Sequence, residues 1–257
     1  MAKIIGVVNE KGGVGKSTVC FNLAWELMKQ GRKVLVVDLD GQRANLTFIA
    51  GIDKPVSLVT MYDVLAKGED IRKAVLVVED TLHIVPAHIA VTWLTQENSP
   101  IEKMKKAMDT VKDYYDYVLI DVPPTPGRTH ALTMAVSDFI LVVMNPDITS
   151  MEANMGIVET VRAAQSNGNP DLKILGFVLN RYTKRPLLFR GAAAAVEKMA
   201  ARYETKVFNT KIRNAVAISE AVGNHEGVST TAPKSNGAED FRELAIEFER
   251  EVNNNGN

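Results

Sequence analysis

One short segment rich in glycine and lysine constrains this chain more than any other feature. It reads Lys11-Gly12-Gly13-Val14-Gly15-Lys16-Ser17-Thr18, and it lies between an apolar run, Ile4–Val8, and a stretch with helical periodicity. Small residues let successive backbone N–H groups converge on one point, and a helix that begins there adds the positive end of its dipole. Lys16 is placed to reach the β- and γ-phosphates of a nucleotide, and the Ser17 hydroxyl to ligate Mg²⁺. The segment therefore predicts a phosphate-binding loop.

Apolar runs typical of strands alternate with helix-like segments along the whole chain. Most of the runs are continuously apolar, as expected for strands that are buried on both faces. The pattern predicts an α/β fold, a P-loop NTPase in which a mostly parallel, twisted sheet carries helices on both faces. The predicted strands are Ile4–Val8, Lys33–Asp38, Leu82–Val85, Tyr117–Asp121, Phe139–Met144 and Ile174–Leu179.

Four helices have clear apolar stripes, which we interpret as core-facing rather than as partner or membrane surfaces. The first ends at Gly31, and the third ends near residues 167–170. The second opens with a capping box at Ser99-Pro100-Ile101-Glu102, with Pro100 at the first helical position. The stripes are Cys20, Leu23, Ala24 and Leu27; Met104, Ala107, Met108 and Val111; Met151, Met155 and Val158; and Ala238, Phe241, Leu244, Ala245 and Phe248. We expect a single domain over residues 1–252 and a disordered, asparagine-rich tail over residues 253–257.

Composition narrows the possible environments and partners. The single cysteine, Cys20, excludes an intrachain disulfide and a cysteine-built metal cluster, which matches a reducing cytosol. We see no signal peptide and no apolar run near the about 20 residues that span a bilayer. These features favour a cytoplasmic protein. The net charge of -1 means that any DNA binding must come from a local basic patch.

Carboxylates follow two of the predicted strands. Asp38 and Asp40 come at the end of one strand and Asp121 at the end of another. Ligands of open α/β sheets bind at the carboxyl ends of strands, and an acid there can hold Mg²⁺ through its water shell. Acids at strand ends are also common turn residues, but their spacing after the phosphate-binding loop favours the functional interpretation.

The loop departs from the ordinary Walker A pattern in a specific way. Glu10 stands where the first glycine is expected, and an additional lysine, Lys11, precedes the glycines. In this respect the segment resembles the deviant Walker A motif of the ParA/MinD group of ATPases. In that family the first lysine reaches across a nucleotide-sandwich dimer to the phosphates bound by the partner, and the resemblance gives this role to Lys11.

The resemblance also implies roles for the remaining site residues. Asp40 orients the attacking water, Asp38 supports the metal, and Asp121 is the Walker B acid. The family often has proline where this chain has Gly41. Asn180, in Leu179-Asn180-Arg181, corresponds to an asparagine that contacts adenine, although an asparagine after a strand is equally an ordinary turn residue. The implied sets are Lys11, Lys16 and Asp40 for catalysis; Lys11, Gly12, Gly13, Val14, Gly15, Lys16, Ser17, Thr18 and Asn180 for the nucleotide; and Ser17, Asp38 and Asp121 for the metal.

The resemblance extends over most of the chain and is strongest to the ParA partition ATPases. It includes Ile218-Ser219-Glu220-Ala221 and Lys234-Ser235-Asn236-Gly237-Ala238-Glu239. Because the sequence begins at the P-loop domain, we expect the small ParA type without an N-terminal helix-turn-helix. Membrane attachment is disfavoured, because the last helix is acidic outside where MinD has a basic amphipathic helix.

ParA proteins bind DNA without sequence preference once ATP has formed the homodimer. The resemblance therefore implies a slow, nucleoid-associated ATPase that positions a cargo and is stimulated by a ParB-like or other cargo-adaptor protein. The cargo would be a plasmid, a chromosome origin or a protein compartment. The candidate DNA contacts, each of which is also an ordinary surface charge, are Lys184, Arg185, Arg190, Lys211, Arg213 and Lys234.

Two other functions remain open on the same scaffold. One is an ATP-driven maturation factor or a ligase-like metabolic enzyme, since a fold does not dictate a function. It would need a second substrate site, and the four histidines, His83, His88, His130 and His225, are scattered in the sequence. The other is a nucleotide-binding scaffold without turnover, which the presence of both Lys11 and Asp40 disfavours.

Overall fold

Seven strands form one sheet in the computed structural model, which describes residues 1–41, 46–52, 58–95, 97, 100–147, 150, 155–183, 196–201 and 203–256, without the side chain of Met155. The spatial order of the strands is β3-β4-β2-β5-β1-β6-β7. Every pair is parallel except β3 with β4. The strands are β1 (Lys3–Val8), β2 (Val34–Asp38), β3 (Leu76–Glu79), β4 (Leu82–Val85), β5 (Tyr117–Asp121), β6 (Phe139–Met144) and β7 (Lys173–Leu179).

The six predicted strands are confirmed to within one residue, and the mostly parallel sheet is confirmed as well. The sequence pattern missed β3, a short antiparallel strand at the edge of the sheet. Its residues alternate between half-buried and exposed, and its register with β4 shifts between Val77 and Glu79. An edge strand with one neighbour needs less apolar surface than a central strand, so its sequence signal is weaker.

Helices cover both faces of the sheet, and the predicted apolar stripes of the described segments face the core. Buried side chains from alternate strand positions form two clusters, so that Ile5 and Val7 of β1 face one cluster while Ile4 and Val8 face the other. The helices are α1 (Lys16–Lys29), α2 (Leu46–Ile49), α3 (Ile101–Val111), α4 (Arg128–Val136), α5 (Met155–Ser166), α6 (Val216–Gly223), α7 (Val228–Thr231) and α8 (Asn236–Asn255), with a further helical stretch at 196–201 and shorter turns at Asp63–Lys67, Ile71–Lys73 and Ile89–Trp93.

Two details of the predicted helix ends change. Pro100 is the N-cap of α3 rather than its first helical residue, and Ser99 and Met151 lie outside the described residues. The expected disorder of residues 253–257 is wrong for 253–255, because α8 continues to Asn255. There the amide of Asn255 donates to the carbonyl of Glu251, and Lys173 donates to the carbonyl of Asn255. No helix among the described residues combines the length and the apolarity needed to cross a bilayer.

Candidate nucleotide site

The loop between β1 and α1 has the conformation that its glycines permit. Gly13 and Gly15 have φ values of 77° and 85°, in the left-handed region that residues with a Cβ avoid. Asn9 holds the base of the loop, because its amide donates to the carbonyl of Val143 in β6 and its side-chain oxygen accepts from the backbone N–H of Lys11 at 2.5 Å. The loop is thereby formed and anchored before α1 begins at Lys16.

Lys16, Ser17 and Asp121 meet at the first turn of α1. The ammonium group of Lys16 and the hydroxyl of Ser17 each donate to a different carboxylate oxygen of Asp121, both at 2.5 Å. Asp121 is fully buried and Lys16 nearly so. Burial raises the pKa of Asp121, whereas the charge of Lys16 opposes that rise and favours the carboxylate. Two oxygen ligands next to a phosphate-binding loop suit Mg²⁺, a hard cation that prefers oxygen.

Asp38 has a different environment from Asp121, although the two are paired in register on neighbouring strands. One carboxylate oxygen accepts from the backbone N–H of Asp40 at 2.8 Å. The other accepts from the N–H of Thr47 at 2.8 Å and from its hydroxyl at 2.5 Å. Burial, together with the nearby charge of Asp121, raises the pKa of Asp38 to about 7. The carboxyl group of Asp38 therefore holds the two ends of the loop after β2.

Thr47 connects this loop to the next strand. Its hydroxyl donates to Asp38 and also accepts from the backbone N–H of Ala87 at 3.0 Å, and the residue is fully buried. We expect Thr47→Val, which nearly conserves the volume, to lower the free energy of unfolding by about 2 kcal/mol, because a buried acceptor and a buried donor lose their partner. Urea unfolding without nucleotide measures this effect, and Thr47→Ser is the matched control that keeps the hydroxyl. A Thr47→Val protein as stable as wild type would contradict the assignment.

Asp40 itself lies on the wall of a cavity of about 320 Å³. The whole segment 11–18 lines the same cavity, together with Pro124 after β5 and Arg181 after β7. The structure therefore places Asp40 with Lys11, Lys16 and Ser17 around one space. This convergence is what the positions of these residues after parallel strands of one sheet predict.

Gly41 explains one departure from the family pattern. A Cβ atom at this position would lie 2.7 Å from the carbonyl oxygen of His88 and 2.9 Å from the Cα of Ile89. Proline, like every residue other than glycine, carries that atom. The chain after β4 thus packs directly on the backbone next to Asp40, and in this arrangement only glycine fits.

Lys11 lies at the edge of the same cavity. Its ammonium group is 3.0 Å from a carboxylate oxygen of Asp147, which follows β6. Both side chains are partly exposed, at 33% and 40%. The second carboxylate oxygen of Asp147 accepts from the hydroxyl of Ser150. In this single subunit, the lysine that distinguishes the deviant motif is therefore held by an acid of its own chain.

A second cavity, of about 270 Å³, adjoins the first and shares Gly15, Thr18 and Arg181 with it. Asn180 lines this second cavity, and its amide donates to the carbonyl of Val14 at 2.7 Å. The opposite wall comes from the segment 213–215 and from α6. Asn180 thus lies beside the phosphate-binding loop, and its contact with adenine stays a prediction.

The predicted DNA contacts are only partly covered by the structure. Lys184, Arg185 and Arg190 lie outside the described residues. Lys211 stacks over the ring of Tyr182, with its ammonium group 5.1 Å from the ring centroid, and Lys234 is exposed just before α8. Arg213 forms two hydrogen bonds from its guanidinium group to Asp240, at 2.8 and 2.6 Å. This pairing offsets part of the charge of Arg213, and its role as a DNA contact stays a prediction.

Several polar groups of the described residues lie outside these two cavities. Within the part of the chain that the structure describes, no three His, Cys, Asp or Glu side chains cluster as a metal site. His130 is buried without a hydrogen-bond partner among the described groups, and burial lowers its pKa to about 4. A separate cavity of about 440 Å³ is lined in part by His83 and Tyr115. The Nδ1 atom of His83 and the hydroxyl of Tyr115 are hydrogen-bonded at 2.8 Å.

Sequence analysis missed three residues that organise the site. Asn9 anchors the loop, Thr47 holds Asp38, and Asp147 holds Lys11. Each acts on a residue that is distant in sequence or buried, and none has a motif of its own. The only local signal was that Asn9 lies two residues before Lys11, and it is not specific.

Comparison with known proteins adds a family and relatives to this geometry. The sequence profile of an AAA domain family matches residues 2–174. The chromosome-partitioning ATPase Soj of Treponema pallidum is 32% identical over 253 residues, covering 96% of this chain and 97% of that protein.

Two solved structures share the fold and carry nucleotides. The septum site-determining protein MinD of Pyrococcus horikoshii, complexed with Mg-ADP, is 28% identical with a TM-score of 0.78 and covers 99% of both chains. Cobyrinic acid a,c-diamide synthase of Mycobacterium smegmatis, with an ATP analogue and magnesium bound, is 28% identical with a TM-score of 0.82, covering 96% of this chain and 93% of that one. A positioning protein and a biosynthetic enzyme are thus comparably similar in structure. Because the family profile spans more than half of the chain and the match to Soj spans almost all of it, this chain belongs to the ParA/MinD family of P-loop ATPases.

Proposed function

We propose that this protein is an ATP-dependent, dimerising ATPase that binds DNA without sequence preference and positions or segregates a cargo. The observation that carries the proposal is the convergence of Lys11, Lys16, Ser17 and Asp40 on one cavity. A lysine in addition to the ordinary P-loop lysine is unnecessary for nucleotide binding alone. It is useful where charge on a partner's phosphates must be stabilised, as in a dimer that hydrolyses ATP in trans.

Phosphoryl transfer needs a positioned water and stabilisation of the charge on the γ-phosphate. The backbone N–H groups of the loop and the ammonium group of Lys16 surround the phosphates, and Asp40 orients the attacking water. Ser17 and Asp121 would hold Mg²⁺, which would supply charge neutralisation to the phosphates. We assign Asp38 to positioning Asp40 rather than to the metal, because its carboxyl group already accepts three hydrogen bonds from Asp40 and Thr47.

Dimerisation controls the rate of hydrolysis in this proposal. In the single subunit Lys11 pairs with Asp147, and in an ATP-bound homodimer it would turn to the nucleotide of the other subunit. Hydrolysis is then slow in the monomer and depends on assembly. ATP favours the dimer, and hydrolysis returns the monomer, which is a population shift driven by the nucleotide.

The DNA-linked role is favoured by similarity to a chromosome-partitioning ATPase. We propose Lys211 and Lys234 as DNA contacts, with Lys184, Arg185 and Arg190 completing the basic surface. Their charge would bind backbone phosphates of the nucleoid. A ParB-like or other adaptor on the cargo would stimulate hydrolysis and release the protein from DNA.

The test is binding of the purified full chain to non-specific duplex DNA. We expect binding with ATP or a poorly hydrolysed analogue and none with ADP, and a strong loss of affinity when salt is raised. Asp40→Asn is the informative variant. It should bind ATP and DNA as wild type does, but remain on DNA, because it lacks the group that orients water and its hydrolysis should fall by about a hundredfold or more.

The contrary outcome would point to a different class of function. A protein that hydrolyses ATP but binds no DNA in any nucleotide state would refute the DNA-linked role. The similarity to cobyrinic acid a,c-diamide synthase would then favour a biosynthetic enzyme, and carboxylic acid substrates would be the first to screen.

A further inference from the structure

Arg181 lines both of the adjoining cavities of the site. It directly follows Asn180 after β7 and lines both the cavity of about 320 Å³ around the phosphate loop and the adjoining cavity of about 270 Å³. The other residues that the cavities share, Gly15 and Thr18, carry no charge. The junction between the phosphate end and the base end of the site thus contains one cationic side chain among the described residues.

The backbone of Arg181 has an unusual conformation. Its φ is 53°, in the left-handed region, and of the four non-glycine residues with positive φ among those described it is the one that lines these cavities. The flanking residues impose this conformation. Asn180 donates from its backbone to Met144 and from its side chain to Val14, and Tyr182 donates from its backbone N–H to Ile212 at 2.9 Å.

This conformation has a cost that glycine or asparagine would reduce at the same position. Strained residues that the surroundings hold in place are concentrated at ligand sites. The turn itself does not require an arginine here. We therefore attribute the arginine to what its side chain binds.

The charge of Arg181 also differs from that of its neighbour in the same cavity. Arg213 is committed to Asp240 through two hydrogen bonds from its guanidinium group. Arg181 is exposed, and among the described residues it forms no ion pair with a carboxylate. Among the described residues, the guanidinium group of Arg181 is thus the cation of this cavity wall that can bind an anionic ligand. Guanidinium groups bind phosphate oxygens with two parallel hydrogen bonds.

We propose that Arg181 is a nucleotide-positioning residue that binds the α-phosphate, between the base held near Asn180 and the β- and γ-phosphates held by the loop. The inference rests on the proposed nucleotide site and adds a contact outside the Walker motifs. It gives Arg181 a role in affinity for ADP as well as for ATP, because both carry the α-phosphate.

The experiment measures ADP affinity by calorimetry at low and high salt for wild type, Arg181→Asn and Arg181→Lys. Asparagine tolerates the left-handed conformation and removes the charge. We expect the Kd of Arg181→Asn for ADP to rise about tenfold, with a weaker salt dependence, and that of Arg181→Lys to rise less. The melting temperature without nucleotide should not fall. Arg162→Asn, an exposed arginine on α5, is the matched control and should bind as wild type does.

A second measurement locates the contact on the nucleotide. Displacement of a fluorescent ADP analogue gives the affinities for AMP and for adenosine. Arg181→Asn should lower the affinity for AMP and leave the affinity for adenosine unchanged. An equal loss of affinity for AMP and for adenosine would overturn the α-phosphate assignment.

Unchanged ADP affinity in Arg181→Asn, with wild type binding normally, would overturn the inference and leave the proposed function intact. If Arg181→Asn melts early, Arg181→Gly, which is compatible with positive φ, takes its place. Wild type that binds no ADP at all would overturn the nucleotide site and this contact with it.

Discussion

Replacing Lys11 with alanine should reduce ATP hydrolysis by about a thousandfold or more, while ATP binding to a single subunit changes little. Cations supplied by a partner to the transferring phosphoryl group are worth about 10³ to 10⁵ in rate. The neighbouring Lys16, the loop and Asp121 still hold the nucleotide when Lys11 is absent. Phosphate release at saturating ATP measures the rate, and a fluorescent ATP analogue measures binding.

Asp147→Asn provides the control for this prediction. It removes the charge that holds Lys11 in the single subunit, but leaves the lysine itself in place. A partly exposed ion pair of this kind is worth at most about 1 kcal/mol, so the basal rate should be unchanged or rise by a few-fold. Hydrolysis by Lys11→Ala at the rate of wild type, or loss of hydrolysis in Asp147→Asn equal to that in Lys11→Ala, would refute the role of Lys11 in trans.

Lys16→Ala has the second large effect, on binding rather than on turnover. It removes the ammonium group that we place at the β- and γ-phosphates. We expect the Kd for ATP to rise by about a hundredfold, because one or two charge-assisted hydrogen bonds are lost. Calorimetry with ATP and Mg²⁺ measures it. Lys29→Ala, at the other end of α1, is the matched control and should bind ATP normally. A Lys16→Ala protein with wild-type affinity would contradict the site.

The same substitution should alter stability in a pH-dependent way. Without Lys16 the carboxylate of Asp121 is buried with Ser17 as its remaining hydrogen-bond donor among the described residues. Loss of one partner of a buried ion pair costs about 3 kcal/mol. The pKa of Asp121, already raised by burial, should rise further. A carboxyl group whose pKa is higher in the folded state binds protons preferentially there, so the free energy of unfolding falls as pH rises above about 4. Urea unfolding without Mg²⁺ should therefore show that Lys16→Ala is slightly less stable than wild type at low pH and that the difference grows toward neutrality. An equal loss of stability at all pH values would exclude the carboxylate of Asp121 as its cause.

The amino-acid sequence by itself determined the architecture and the phosphate loop. Both depend on local patterns: continuous apolar runs such as Tyr117–Asp121 specify strands buried on two faces, and glycines between a strand and a helix specify a loop that surrounds phosphate. Because parallel strands end at one edge of the sheet, the convergence of Asp40 and Asp121 on the loop also followed from the sequence.

Only the tertiary structure decided what each polar group contacts. Asp38 and Asp121 look alike in sequence, but Asp38 accepts from Asp40 and Thr47 while Asp121 accepts from Lys16 and Ser17. The sequence also does not indicate that the guanidinium group of Arg213 donates to Asp240, 27 residues further along the chain. Hydrogen bonds and ion pairs depend on distances of a few tenths of an ångström between residues remote in sequence, and no local periodicity encodes those distances. The position of Arg181 between two cavities is a fact of the same kind, because it requires β7, the phosphate loop and the segment before α6 to be assembled together.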